Sequence, residues 1–201
     1  IETIKETIDL ALSYDVNIGS HPSYPDKKNF GRKSMNINLN DFQKSINDQL
    51  LNFKDALSFF PTNWHHCKAH GALYNDIAEN GKLTKAYLEV LYEFPEINYL
   101  ILPASKPIIK SAKKMNFNVL NEVFSDRKYD ESLSLVPRNQ KNSIITSPDE
   151  FSRNLKLILD GEIQVTNGTI KKVSYDTICL HSDTLMSKNF IKLMTNIIDK
   201  K

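Results

Sequence analysis

The sequence predicts a parallel α/β fold, and three observations carry that expectation. Short apolar runs of strand character recur five times along the chain. Stretches of helical period separate them, and that alternation builds a parallel sheet, open or closed into a barrel. No internal repeat, low-complexity tract or linker divides the 201 residues, so residues 1–201 read as one domain.

Ile1, Ile4, Ile8, Ala11 and Leu12 recur at helical spacing, so the chain opens in or at the edge of an amphipathic helix. Residues 16–19 form the first strand, which ends at His21-Pro22. Residues 22–38 hold Pro, Asn, Gly and Lys without periodicity and read as a long loop. Asn40, with Gln43 three residues on, reads as the cap of a second helix. The stripe Phe42, Ile46, Leu50, Phe53, Leu57 carries that helix to about Phe59. Residues 64–69 are the next strand, ending at His70-Gly71, and 83–94 are helical. Residues 99–102 are a buried strand stopped by Pro103; 106–115 are a helix and 118–124 a strand. Ser147-Pro148-Asp149-Glu150 places a cap, a first-position proline and first-turn acids together, starting a helix that ends near Gly161. Residues 162–165 and 169–173 flank Asn167-Gly168, which predicts a hairpin on a type I′ turn. Residues 176–180 are the last strand and 185–198 the terminal helix.

Composition excludes several function classes. The formal net charge is +2, and the pairs Lys27-Lys28, Lys113-Lys114 and Lys171-Lys172 are too short for a basic track, so neither nucleic acid nor an acidic membrane is implied. Cys67 and Cys179, the only two cysteines, sit in strand-like runs and read as reduced core thiols. No apolar stretch approaches the roughly 20 residues that span a bilayer. With no leader in view, a cytoplasmic location is expected.

Three of the five histidines fall just past the end of a predicted parallel strand: His21, His70 and His181. In parallel α/β folds that edge is where ligands bind, because loops converge there free of packing duty. One strand-end histidine is ordinarily a satisfied polar residue; three at one edge point to a site, with His21, His70, His181 and Asp183 expected in one pocket. Lys68 leaves its strand on the face of His70, two residues away, and Asp183 follows His181 by two. Glu122, Asp126 and Arg127 crowd the end of the fourth strand, with Arg138 further on. Tyr24 and Arg32 follow His21, and Tyr74 and Asn75 follow His70. Imidazole moves protons near neutral pH, a carboxylate can orient it, and Arg offers a fork for a carboxylate or phosphate. Hydrolysis or group transfer on a small anion suits the mixture. Neither a Walker nor a Rossmann phosphate loop is present, nor a Gly-x-Ser-x-Gly elbow. His66 and His70, four apart on a strand, are a weak pair for a metal, whose identity stays open; His65 reads as surface or core.

Four blocks resemble the LamB/YcsF family, that of the A subunit of bacterial ATP-dependent 5-oxoprolinase. They are Ile18-Gly19-Ser20-His21-Pro22-Ser23-Tyr24-Pro25-Asp26 with Phe30-Gly31-Arg32; Lys68-Ala69-His70-Gly71-Ala72-Leu73-Tyr74-Asn75; Glu122-Val123-Phe124-Ser125-Asp126-Arg127 with Leu135-Val136-Pro137-Arg138; and Asp176-Thr177-Ile178-Cys179-Leu180-His181-Ser182-Asp183-Thr184. They stand in the family's order across nearly the whole chain. The resemblance implies a seven-stranded β/α barrel of the glycoside hydrolase/deacetylase type. It also implies ATP-coupled opening of 5-oxoproline to L-glutamate, with magnesium as the nucleotide's counter-ion and subunits B and C as partners. The family opens with an Asn-x-Asp-x-Gly-Glu strand and an Ala-Cys-Gly-Phe-His-x-Gly-Asp strand that this sequence does not contain, so the expected barrel lacks its first two strands here. The family also carries Gly where Ser23 and Ser182 stand, and Pro where Ala69 stands; a serine beside His181 raises the question of a turn needing positive φ.

The expected catalytic set is therefore His21, Lys68, His70, His181 and Asp183. The expected substrate-binding set is Tyr24, Arg32, Tyr74, Asn75, Glu122, Asp126, Arg127 and Arg138. Two other classes remain in view: a metal-dependent deacetylase of small amides or sugars, and a non-catalytic binding protein descended from the enzyme.

Overall fold

Five parallel strands, β1 (Gly19–Ser20), β2 (His66–Cys67), β3 (Tyr99–Pro103), β4 (Val119–Phe124) and β7 (Thr177–Cys179), lie in that order and alternate with helices in the computed structural model, which describes residues 1–184 and 186–199. The chain divides into two compact units, Ile1–Leu120 and Asn121–Lys201. All five parallel strands expected from the sequence are present.

The first unit holds α1 (Glu2–Ser13), β1 (Gly19–Ser20), a short 3-10 helix (Lys27–Asn29), α2 (Leu39–Leu57), β2 (His66–Cys67), α3 (Gly71–Glu79), α4 (Gly81–Tyr92), β3 (Tyr99–Pro103) and α5 (Pro107–Lys114). Gly19 and Ser20 pair with His66 and Cys67, which pair in turn with Tyr99 and Leu100. The Leu100 N–H then donates to the Asn118 carbonyl, 2.8 Å away, at the entry to β4 (Val119–Phe124).

The apolar stripe of α2 is buried as its spacing requires, Phe42, Ile46 and Leu50 completely. Its cap lies two residues earlier than the spacing of Asn40 and Gln43 suggests. Asn38 is extended and its side chain accepts the Asp41 N–H at 2.9 Å, while the Asp41 carboxylate accepts back from the Asn38 amide. Gln43 reaches away instead, donating to the Ala86 carbonyl (3.3 Å) and the Glu89 carboxylate (3.1 Å). Trp64 fills the space beside β2, its ring 4.9 Å from Phe53 and 5.8 Å from Phe94. The helix expected in this region starts at Leu83 and passes over α3. Asn80 divides α3 from α4, its side chain accepting the Lys82 and Leu83 N–H groups as the cap of α4.

The second unit continues β4 and adds α6 (Pro148–Leu159), β5 (Glu162–Gln164), β6 (Ile170–Lys172), β7 (Thr177–Cys179) and α7 (Ser187–Ile198). Glu122, Val123 and Phe124 pair in parallel with Thr177, Ile178 and Cys179. Ser147 caps α6 and Pro148 takes its first position, as the sequence indicates. Phe151 and Phe190 stack at 4.2 Å in a core shared with Ile145 and Leu155. Leu185, the expected start of the terminal helix, lies outside the described residues.

The hairpin β5–β6 is antiparallel as expected, but its turn is not type I′, which needs positive φ at both central residues. Only Gly168 is left-handed (φ 88), and the Gly168 N–H donates to the Val165 carbonyl at 2.8 Å. That is a three-residue loop closed by a left-handed glycine.

Candidate functional site

In the first unit, Ser20 and Cys67 are register partners, so the chain delivers His21 and Lys68 side by side at the C-terminal ends of β1 and β2. Backbone pairing runs on past the strands: the Lys68 N–H donates to Ser20 (3.0 Å) and the His70 N–H to Pro22 (2.8 Å). His21 Nδ1 lies 2.7 Å from the Lys68 carbonyl oxygen. A carbonyl only accepts, so Nδ1 carries the proton and Nε2 keeps its lone pair. His70 adopts the other tautomer, its Nε2–H donating to the Phe30 carbonyl at 2.9 Å. The two rings meet edge to face, 4.9 Å between centroids.

Burial, then the Lys68 ammonium, outweigh the bond to Lys68 and hold the His21 pKa down at about 4. His21 is exposed as a residue, while the protein groups clustered around its ring make desolvation the leading cause. The ring is neutral at neutral pH. His66 is held near 4 by burial, then by His65 and Lys68; its Nδ1 sits 3.1 Å from that of His65. Gly19 makes room for it, because a Cβ there would lie 2.4 Å from the His66 ring.

His21 and His70 open on a pocket of about 300 Å³, whose walls include Tyr24, Asp26, Lys27 and Phe30. Tyr24 is 2% exposed, and its hydroxyl donates to the Asp76 carboxylate at 2.8 Å. Ser34 donates to the same carboxylate at 2.9 Å. Burial, then the bond to Asp76, raises the Tyr24 pKa, so the phenol stays protonated and ties the loop after β1 to α3. Arg32 is exposed, its guanidinium 5.3 Å from the centre of the Phe30 ring. The Lys68 ammonium stands 5.6 Å from the centre of the buried Tyr74 ring, and Asn75 is exposed on α3. Sequence reasoning missed Asp76. Its signal was the helical spacing of Leu73, Tyr74, Ile77 and Ala78, which are all buried on α3.

In the second unit, β4 is followed directly by Ser125, Asp126 and Arg127, with Ser125 and Asp126 wholly enclosed. The Ser125 N–H donates to the Cys179 carbonyl (2.9 Å), holding the end of β4 against β7. Asp126 then accepts from the His181 backbone N–H at 3.2 Å and from ring Nδ1 at 3.0 Å. The carboxylate fixes the proton on Nδ1 and orients the imidazole through that bond, leaving Nε2 as the proton-accepting nitrogen, as a carboxylate partner does for a proton-transferring histidine. Phe124 stacks on the His181 ring at 5.3 Å. Glu122 is buried on β4. Arg127 is buried too, donating through Nη2 to the Val136 carbonyl (2.6 Å) and through Nε to that of Ser143 (3.3 Å). Burial, then Arg138, lowers its pKa to about 10. Its guanidinium therefore clamps the loop after β4. Arg138 faces Asp183 instead, 3.7 Å apart, both partly exposed.

The structure thus brings His21, Lys68 and His70 together in one unit, and Asp126 with His181 and Arg138 with Asp183 in the other. Neither Ser23 nor Ser182 has a positive φ, so serine in place of the family's glycine strains neither turn. Among the described residues no three His, Cys, Asp or Glu side chains gather as a metal-ligating group. No helix among them is long and apolar enough to cross a membrane.

Fold and site together define a parallel α/β protein with oriented imidazoles at its strand ends. The chain belongs to the LamB/YcsF family, whose pattern it matches over residues 1–201. It is 32% identical over 205 residues to the 5-oxoprolinase A subunit from Staphylococcus epidermidis, covering 100% of this chain and 80% of that one. It is 33% identical over 194 residues to the protein of the same name from Oceanobacillus iheyensis, covering 96% and 76%. The lactam utilization protein of Thermus thermophilus superposes with a TM-score of 0.87 at 26% identity, covering 98% of this chain and 79% of its own.

Proposed function

We propose that this chain is the A subunit of an ATP-dependent 5-oxoprolinase, a cytoplasmic hydrolase that opens the 5-oxoproline ring to L-glutamate together with subunits B and C. The observation that carries this reading is the His21 imidazole, neutral at working pH and with Nδ1–H engaged by the Lys68 carbonyl. Its Nε2 is unprotonated and can accept a proton from water as that water attacks the lactam carbonyl, the lowered pKa making it a weaker base than a free imidazole. His70, held by the Phe30 carbonyl, is the second proton carrier of the same pocket. Lys27, Arg32 and Lys68 around it suit the carboxylate of the substrate. In the second unit, Asp126 orients His181 for proton transfer, and Arg138 with Asp183 supplies a charged pair.

A lactam is a poor electrophile, and ATP, when bound, supplies activation of its oxygen by phosphorylation. With Arg32 left for the carboxylate, Lys27 and Lys68 fit phosphoryl oxygens, with magnesium as the nucleotide's counter-ion. The names of the relatives support the substrate, and their naming as one part of a multi-part enzyme supports the partners. The test is glutamate release from 5-oxoproline by the full protein with both partners, with and without ATP. ATP-dependent release that His21→Ala abolishes is the expected result. No release, or release indifferent to His21, overturns the reading.

A further inference from the structure

Phe30 breaks two rules at once. It is a bulky residue in the left-handed region (φ 54, ψ 35), at the end of the 3-10 helix, a place that glycine or asparagine ordinarily fills. The residue is also 64% exposed, although aromatic residues ordinarily find a core. Observed backbone strain of this kind concentrates where function requires it.

What the conformation achieves is visible on both sides of the residue. The Phe30 carbonyl is turned onto His70 Nε2 at 2.9 Å, which sets that imidazole's tautomer. The ring stands at the wall of the 300 Å³ pocket, 5.0 Å from the His70 ring and nearly perpendicular to it (84°). The Arg32 guanidinium lies 5.3 Å from its centre. An exposed aromatic residue beside His70 and Arg32 therefore lines the pocket that His21 and His70 share. An apolar face beside a cation matches a small planar ring that carries a carboxylate.

We infer that Phe30 is the specificity-determining residue of this pocket. Its ring is the surface against which a five-membered lactam lies, and Arg32 beside it takes the lactam's carboxylate. This rests on the reading of the pocket as a 5-oxoproline site. Phe30 contributes to affinity and ring-size selection, while its backbone carbonyl, which any residue supplies, keeps His70 in place.

The experiment compares Phe30→Gly, Phe30→Leu and the unaltered protein, each with its partner subunits. It reads Tm, calorimetric binding of 5-oxoproline, and KM and kcat for 5-oxoproline and its six-membered homologue, 6-oxopiperidine-2-carboxylate. Glycine accepts the left-handed backbone, so Phe30→Gly keeps or raises Tm while KM for 5-oxoproline rises on the order of tenfold, the loss of one ring contact. Discrimination between the two ring sizes collapses in Phe30→Gly and is partly kept in Phe30→Leu. An active enzyme whose KM and ring-size preference ignore Phe30→Gly overturns the inference alone, as does a Tm that falls by several degrees with KM unchanged. An unaltered complex that neither binds nor opens 5-oxoproline overturns the functional reading, and this inference with it.

Discussion

The His181 imidazole and the Asp126 carboxylate form a pair in which one partner has no exposure at all. Truncating the ring removes the Nδ1 bond and leaves the enclosed carboxylate with the backbone N–H of residue 181, so a buried charge loses part of its satisfaction. His181→Ala is therefore expected to lower stability by about 2–4 kcal/mol as well as activity. His181→Asn presents an amide N–H near the position of Nδ1, so it keeps the unfolding midpoint and still loses turnover. Urea titrations of both variants beside the glutamate-release assay decide this; equal midpoints for the two would mean that Asp126 does not depend on the ring. Arg127 gives a second case. Its planar fork bonds two carbonyls from different points of one loop, a reach that a single ammonium does not reproduce. Arg127→Lys is expected to cost about 2 kcal/mol, and a midpoint equal to wild type would show that the clamp is idle.

At the scale of elements, the turn from β2 into α3 is the tightest join near the histidine pocket. Gly71 has φ 60, and a Cβ there would meet the Gly31 carbonyl oxygen at 2.5 Å. Gly71→Ala combines backbone strain with that clash and is expected to cost about 2 kcal/mol or more, read by thermal melts. A melt unchanged by the substitution would mean that the loop after β1 yields at no cost. The strands and long helices were legible in the sequence because apolar period survives any tertiary context: the stripe of α2 and the cap of α6 lie where the residues indicated. Short elements were not. In α3, nine residues hold a Gly at the start and an Asn after the end, which reads as loop unless Leu73, Tyr74, Ile77 and Ala78 are weighed together. Asn167-Gly168 misled for a related reason, since the dipeptide fits two turn types and only backbone geometry separates them. Among the candidate site residues, strand-end position put His21, His70 and His181 where the structure has them. It did not reveal the anchoring roles of Tyr24 and Arg127, because a hydroxyl or guanidinium engaged within the protein looks the same in sequence as one turned to a ligand.

For the molecule as a whole, the imidazoles set a pH dependence of folding. His21 and His66 ionise at about 4 in the folded chain, below the ordinary 6.5. Between those values the unfolded chain binds more protons, so folding stability rises with pH. The contribution is complete above 6.5 and lost as pH falls through about 4. Urea midpoints measured from pH 7.5 down to 4.5 should fall, and His66→Gln should flatten part of that slope; identical slopes would mean that His66 titrates as freely in the folded chain as in the unfolded one. The enclosed carboxylate of Asp126 has a further consequence, for descent. Once the imidazole at 181 is lost, the acid at 126 is a liability, and once the acid is lost the imidazole has no fixed orientation. Neither position can drift alone, so lineages that abandon this chemistry should show both changed together, or an amide at 181 as the stepping stone between the two states.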